Sequence, residues 1–287
     1  MSQPDTLTEK YVLAVTLPIA ALSFFGSAAL ICTFLSFRDS VQSQSRRLIF
    51  FLSVADLGQS IFFLLPGFAG SRFACVVLSM FGIMSALASF LWTVIISHFV
   101  WKTVHNPTEI QSNYSSNYHF IGWGYPILTI LILLISAPTW EPYNTSKFDV
   151  FGPDSSVGWC FIPKEYPLQR LLTIYAPLAA CWFLTAFFYL SARNQVREMT
   201  NDTITTPLAA QRHEAMQEVM QKLTLIPAGF IALRMWGALY RMFYVFRDQD
   251  SPNAEQNFVD EFRWYVSARF PLLVALMRFS LVTLPLP

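Results

Sequence analysis

The sequence predicts an all-α membrane protein, a bundle of seven transmembrane helices, and three observations support this fold class. Of the 287 residues 54% are hydrophobic and only 13% are charged, whereas soluble domains average about 25% charged residues. The segment from Cys75 to Trp101 contains no Asp, Glu, Lys or Arg and is long enough, at about 1.5 Å of rise per residue, to cross a bilayer. Similar apolar runs recur along the chain, and together they exceed what one soluble core can bury.

Each predicted span is an apolar run bounded by polar or charged residues. The first lies between Lys10 and Arg38 and has a small-residue face at Gly26–Ala29, which suits close helix contact. Residues 1–10 are predicted to be an extracellular tail and residues 11–287 the membrane domain. The predicted spans are 11–37, 48–70, 74–101, 120–140, 168–192, 223–246 and 264–287, with kinks expected at Pro126 and Pro138.

The loops predict the orientation of the bundle. The loop 38–47 holds three arginines and one aspartate, and short basic loops face the cytoplasm. The N-terminus is therefore predicted to be extracellular. The same orientation places the loop 141–167 outside the cell, where disulfides form and Asn-X-Ser/Thr sites are glycosylated. That loop contains Cys160 and a sequon at Asn144, which agrees with an orientation derived from arginines alone.

The four cysteines form two groups. Cys75 lies at the outer start of the third span and is predicted to pair with Cys160; the alternative is two unpaired thiols. Cys32 and Cys181 lie within apolar runs and are predicted to be packing residues. The predicted disulfide would close a long loop, stabilise the fold by about 3–5 kcal/mol, and hold the loop over the mouth of the bundle.

Four stretches of the sequence, in order and spacing, resemble one receptor family. They are Arg47–Ile49 with Leu52–Leu57, Cys75 with Phe90–Thr93, Gly158–Cys160, and Lys222–Pro227 with Leu233–Gly237. Over residues 10–246 the chain resembles the G-protein-coupled receptors of the cyclic-AMP-receptor-like group, and is closest to its vertebrate orphan-receptor type. The resemblance implies a plasma-membrane receptor that passes a signal from an extracellular ligand to a heterotrimeric G protein.

The last predicted span departs from the pattern of this family. Leu272–Leu276 resembles the start of a seventh helix, but residues 277–287 lack the Gly/Asn-rich motif expected there. We therefore expect a seventh helix that is atypical or truncated. Ser97-His98-Phe99 stands near the inner end of the third span in place of Asp-Arg-Tyr, a triplet that this group generally lacks.

The resemblance assigns roles to residues according to their position along the bundle. Outer residues are expected to contact ligand, middle residues to change conformation, and cytoplasmic basic residues to contact the G protein. The ligand contacts are Trp159, Phe161, Tyr240 and Arg241; the switch residues are Asp56, Trp92, Pro227, Arg234 and Trp236; the G-protein contacts are Arg46, Arg47, Lys102, Arg197 and Lys222.

Several of these roles have a structural alternative. Asp56 is either a buried polar node that binds a cation or rearranges on activation, or a protonated carboxyl bonded to a neighbouring helix. Arg241 either meets an anionic ligand or extends to the membrane interface. Pro227 is either a hinge or a tolerated kink. The cytoplasmic basic residues either contact a G protein or only fix the topology and attract lipid headgroups.

The sequence gives little support to enzymes. It contains no HExxH motif, Gly-rich phosphate loop or nucleophile elbow, so we predict no catalytic site, metal site or cofactor. No lysine follows Lys222, which excludes a retinal Schiff base on a seventh helix. A net charge of +1 does not favour a nucleic-acid partner. A small multi-pass transporter and a truncated, non-signalling receptor-like protein remain alternatives, although no internal repeat favours the transporter.

Overall fold

A computed structural model of the chain describes residues 7–36, 44–65, 72–105, 116–136, 151–154, 159–162 and 167–202. This part of the chain contains five long helices and a short β-hairpin. They are α1 (Leu7–Ser36), α2 (Gln44–Leu64), α3 (Arg72–His105), α4 (Ser116 to Ser136), β1 (Gly152–Asp154), β2 (Trp159–Phe161) and α5 (Pro167 to Asp202). By length and composition, all five helices can cross a membrane. The predicted spans 223–246 and 264–287 lie outside the described residues.

The described residues are therefore almost entirely helical, and their helices are long and apolar enough for the predicted membrane bundle. Several helices are longer than the spans expected from hydropathy. For example, α3 continues to His105 and α5 to Asp202, beyond the expected ends at residues 101 and 192. The end of a span predicted from hydropathy is set by the first charged residue. A helix can continue beyond that residue into the aqueous phase, where charged side chains are solvated.

The helix α3 is the central element of residues Val12–Asp202, which belong to one structural unit. It packs against α2, α4, α5 and the hairpin, and its largest fully buried side chain is Trp92. Glycines bring α2 and α3 together: a Cβ atom at Gly82 would lie 2.6 Å from the ring of Phe62, and one at Gly58 would lie 2.7 Å from Ser85 Oγ. Small residues at such positions let helix backbones approach closely.

Both α4 and α5 contain a π-helical turn shortly before a proline. In α4 the turn is Phe120–Gly124, followed by Tyr125–Ser136 with Pro126 at its second position. In α5 the turn is Leu171–Tyr175, followed by Ala176–Asp202 with Pro177 at its second position. Proline has no N–H and its ring crowds the carbonyl four residues earlier, and a wider turn relieves that crowding. The other proline expected to kink the fourth span, Pro138, lies outside the described residues.

The hairpin lies within the predicted loop 141–167. Its strands are antiparallel, with Gly152 opposite Phe161, Pro153 opposite Cys160 and Asp154 opposite Trp159. It packs against α3, and the adjoining side chains of Phe151 and Ile162 are buried. Burial of these apolar residues holds the connection between α4 and α5 against the bundle.

Candidate functional site

A disulfide joins the hairpin to the start of α3. Cys75 and Cys160 are bonded, with their Cα atoms 5.2 Å apart, and both are buried. This confirms the predicted pairing and excludes the alternative of two free thiols. The end of the bundle that carries this bond is called the disulfide end below. Of the two free cysteines, Cys181 is buried as predicted for a packing residue, but Cys32 is exposed within the described structure.

A buried arginine attaches the same hairpin to α5. Arg170 is only 4% exposed, and its Nε donates a hydrogen bond to the Ile162 carbonyl oxygen at 2.5 Å. Its guanidinium carbon lies 5.8 Å from the centre of the half-buried Phe161 ring, close enough for a cation–π attraction. Arg170 was not among the predicted site residues, although a charge just inside the predicted fifth span was a visible signal. The hairpin is therefore attached at two points, to α3 and to α5.

The predicted ligand contacts lie partly at this end. Phe161 follows Cys160 in β2, and Trp159 precedes it in the same strand. Arg170 contacts Phe161, whereas the side chain of Trp159 lies outside the described structure. The other two predicted ligand contacts, Tyr240 and Arg241, and the sequon at Asn144 also lie outside the described residues.

Asp56 forms a polar contact between helices near the middle of α2. Ser89 on α3 donates its hydroxyl hydrogen to Asp56 Oδ1 at 2.5 Å. One turn along α2, Ser60 Oγ donates to the Asp56 carbonyl oxygen at 2.8 Å and lies 2.9 Å from Ser23 Oγ on α1. Polar groups thus connect α1, α2 and α3 at one level. The structural alternative for Asp56 requires a bond to a neighbouring helix, and the bond to Ser89 of α3 is such a contact. The cation site stays a prediction.

Buried hydroxyl groups extend along α3 through this level. From Ser85 they recur every four residues, which places them along one side of a helix. Thr93 Oγ1 donates to the Ser89 carbonyl at 2.9 Å, and Ser97 Oγ donates to the Thr93 carbonyl at 3.0 Å. The buried hydroxyl residues of α3 are Ser79, Ser85, Ser89, Thr93 and Ser97. These residues were not among the predicted site residues, although their spacing in the sequence was a usable signal.

Trp92 lies at the centre of an aromatic cluster between α2, α3 and α4. Its side chain is 0% exposed and stacks on Phe51 of α2, with ring centres 5.0 Å apart. On α4, His119 and Trp123 lie 5.5 Å and 6.0 Å from the Trp92 ring. Among the described residues, Trp92 Nε1 has no hydrogen-bond partner. A predicted switch residue is thus packed between three helices.

A second cluster connects α3 to α4 and α5 at the opposite end of the bundle. His98 Nδ1 lies 3.1 Å from the Tyr118 hydroxyl of α4. Trp101 Nε1 donates to Ser191 Oγ of α5 at 3.0 Å. The Phe188 ring lies 5.1 Å from the His98 ring and 5.7 Å from the Trp101 ring. Sequence reasoning did not assign these residues, since their proximity depends on how three helices are rotated about their axes.

The predicted G-protein contacts that fall in described helices lie at this opposite end. Arg46 and Arg47 are exposed in the first turn of α2, and Lys102 is in the last turn of α3. Arg197 lies near the end of α5, although its side chain is not described. Lys222 and the switch residues Pro227, Arg234 and Trp236 lie outside the described residues. No group of three or more His, Cys, Asp or Glu suited to a metal ion occurs within the described ranges.

Comparisons with known proteins identify the family of this chain. The family model of the slime mold cyclic AMP receptor matches residues 5–217. G-protein coupled receptor 157 of Homo sapiens is 31% identical over 252 residues, which are 83% of this chain and 72% of the human protein. Cyclic AMP receptor-like protein A of Dictyostelium discoideum is 27% identical over 185 residues, 64% of this chain and 46% of that protein. G-protein coupled receptor 1 of Arabidopsis thaliana is 24% identical over 188 residues, 65% of this chain and 53% of that protein.

The matched range of the family model includes both cysteines of the disulfide, the Asp56–Ser89 contact and the Trp92 cluster. The resemblance found in the sequence is therefore confirmed. The chain belongs to the slime mold cyclic AMP receptor family, a family of membrane receptors.

Proposed function

We propose that the protein is a G-protein-coupled receptor of the plasma membrane, with an extracellular N-terminus, an extracellular ligand and a heterotrimeric G protein as its partner. The observation that carries this proposal is the chemical difference between the two ends of the described bundle. One end has the Cys75–Cys160 disulfide. The other has Arg46, Arg47 and Lys102. Disulfides persist outside the cytosol and basic residues favour its side of the membrane, so both signals support one orientation.

The disulfide end is the proposed ligand entrance. A hairpin attached to both α3 and α5 keeps the position of Phe161 fixed relative to these helices. A fixed contact residue loses little conformational entropy when a ligand binds. We therefore retain Trp159, Phe161, Tyr240 and Arg241 as proposed ligand contacts. Since the family model and one relative are named for cyclic AMP, that nucleotide is the first ligand to test.

The middle of the bundle is the proposed switch. The Asp56–Ser89 bond and the stacking of Phe51 on Trp92 both join α2 to α3. Any movement of one helix against the other must change these contacts. A ligand that binds one arrangement more tightly shifts the population toward it. In this proposal the receptor forms and breaks no covalent bond, and the basic end binds the G protein in the shifted state.

The test is nucleotide exchange with purified components. The full chain in lipid nanodiscs is mixed with G-protein heterotrimers of each major class, and binding of a non-hydrolysable GTP analogue is followed with and without cyclic AMP. Adenosine 5′-monophosphate serves as the control nucleotide. We expect the receptor to accelerate exchange on at least one class, and cyclic AMP to increase that rate.

The proposal is contradicted if correctly folded receptor leaves exchange unchanged on every class, alone and with ligand. A variant that lacks two of the proposed G-protein contacts is compared with the parent receptor. Replacing Arg46 and Arg47 with Gln should reduce exchange, whereas Arg193→Gln, at another exposed arginine of the same end, tests whether loss of any positive charge has the same effect. Saturable uptake into vesicles without exchange would support a transporter instead.

A further inference from the structure

We infer that His98, Trp101, Tyr118, Phe188 and Ser191 form a latch that holds the resting conformation by tying α3 to α4 and α5. These are called the latch residues. The inference deepens the proposed function, because its signalling consequence depends on coupling to a G protein. Its structural content, that these contacts keep the end opposite the disulfide closed, is tested separately below.

The latch joins one face of α3 to two different helices. His98 and Trp101 are three residues apart, so they lie on the same face of the helix. His98 reaches α4 through the Tyr118 hydroxyl at 3.1 Å, and Trp101 reaches α5 through the Ser191 hydroxyl at 3.0 Å. A single segment of α3 therefore fixes the positions of both neighbours.

The aromatic rings make the latch depend on the rotation and position of α5 relative to α3. Phe188 and Ser191 are also three residues apart, so α5 presents both to the same segment of α3. The Phe188 ring meets the His98 ring edge-on, with centres 5.1 Å apart, and lies 5.7 Å from the Trp101 ring. A rotation or displacement of α5 would break the hydrogen bond of Trp101 and the ring contacts together. Such interdependent contacts favour two discrete arrangements over a gradual series.

The two ends of the bundle are held by different kinds of contact, and hydrogen bonds of a charged group such as Arg170 are stronger than neutral ones. At the disulfide end, α5 is attached to the hairpin through Arg170 and the hairpin is attached to α3 by a covalent bond. At the opposite end, α3 and α5 are joined by a neutral hydrogen bond and ring contacts. Relative movement of these helices should therefore begin at the latch end, with the disulfide end as the pivot.

The environment determines when the latch can open. Lipid offers no hydrogen-bonding partner to a released indole N–H or phenol hydroxyl, so the bonds are favoured while this end is dry. Water or the polar surface of a partner protein can satisfy the same groups. The open arrangement is therefore favoured when a cytoplasmic partner inserts there, which is the coupling that a receptor needs.

Two conservative variants test the latch. Tyr118→Phe removes the hydroxyl and keeps the ring beside His98, and Ser191→Ala removes the acceptor for Trp101. The matched control is Thr103→Val, since the Thr103 hydroxyl donates to the Phe99 carbonyl within α3 and crosses to no other helix in that bond. The control removes a hydroxyl from the same end of the bundle without removing a bond between helices.

The reporter is a cysteine at a buried position beside Ser191. Ala192 is 0% exposed, so Ala192→Cys, in a background with Cys32→Ser and Cys181→Ser, should react slowly with a water-soluble maleimide. In nanodiscs we expect each latch variant to raise the labelling rate roughly threefold and the double variant about tenfold, the effect of losing one or two hydrogen bonds between membrane helices. Thr103→Val should label at the parent rate.

The labelling rate decides the inference without any G protein. Labelling of both variants and their combination at the parent rate would overturn the latch. If one variant does not fold, as judged by its size-exclusion profile, the other still tests the inference. Basal nucleotide exchange on a G protein is then measured with the same variants, and should rise in parallel with labelling. Faster labelling without exchange on any G protein would uphold the latch and contradict the proposed function.

Discussion

Gly122 of α4 lies directly against the indole ring of Trp92 in α3. A methyl group at Gly122 would be 2.7 Å from Trp92 Cε2 and 2.9 Å from its Nε1. No ordinary carbon contact is that short, and the buried indole is packed on its other sides by Phe51, His119 and Trp123. The backbone of Gly122, in the π-helical turn of α4, thus forms one wall of the aromatic cluster.

The first prediction concerns this wall. Gly122→Ala should destabilise the protein, because overpacking a well-filled core costs about 1–3 kcal/mol. Gly124→Ala is the matched control in the same turn, where the atom nearest to the added methyl group would lie 3.4 Å away, in the Phe120 ring. Both changes bring the same gain in helix propensity. Thermal unfolding in detergent should show a lower midpoint for Gly122→Ala alone; equal midpoints would refute the close packing.

The second prediction concerns the disulfide. Cys160→Ser should sharply reduce surface expression, since the bond connects residues 85 positions apart and loss of such a crosslink costs about 3–5 kcal/mol in the chain-entropy model. Cys32→Ser removes an exposed free thiol and is the control. Surface biotinylation compares the two. Normal trafficking and ligand binding of Cys160→Ser would show that the disulfide is dispensable.

The third prediction concerns the bond between Asp56 and Ser89. In a double-mutant cycle with Asp56→Ala and Ser89→Ala, the free energies of unfolding should be non-additive by roughly 0.5–1.5 kcal/mol, because each single change removes the same bond. Ser53→Ala replaces Ser89→Ala in the control cycle, since Ser53 donates to the Ile49 carbonyl within α2. Additive effects in the first cycle would mean that the bond contributes nothing measurable.

The fourth prediction concerns orientation. Asn144 should carry a glycan if the connection between α4 and α5 is extracellular. Asn144→Gln should therefore remove the mass shift seen on enzymatic deglycosylation, measured by gel electrophoresis. Asn113 and Asn201 are sequons on the predicted cytoplasmic side, and their Gln variants serve as controls. A glycan on Asn113 would reverse the proposed topology.

Some features of this protein were predictable because their signals are local in the sequence. Five of the predicted spans correspond to helices, since a run of apolar residues is visible without knowledge of neighbours. The partner of Cys75 followed from an orientation based on arginines, and the family from short motifs with fixed spacing. Each of these inferences needed only the order of residues along the chain.

Other features depend on how the helices are rotated, which hydropathy does not reveal. The latch residues come from three helices, and nothing in the order of Trp101 and Ser191 indicates that their side chains meet. Nothing in the sequence indicates that a side chain at Gly122 would collide with the ring of Trp92. The position of Arg170 near the start of the predicted fifth span suggests a charge at the membrane interface, yet its side chain is buried and hydrogen-bonded to Ile162 beside the hairpin. Such contacts required the three-dimensional arrangement.

The π-helical turns also affect how this chain should be compared with its relatives. A π turn accommodates one residue more than an α-helical turn, so every later side chain is rotated by about 100° around the helix axis. A helical wheel drawn through residues 120–124 or 171–175 as regular helix would assign later residues to the wrong face. A relative whose helix is regular at either place should align with a one-residue gap there. Such a gap would indicate that the residues before and after it face the same directions in both proteins.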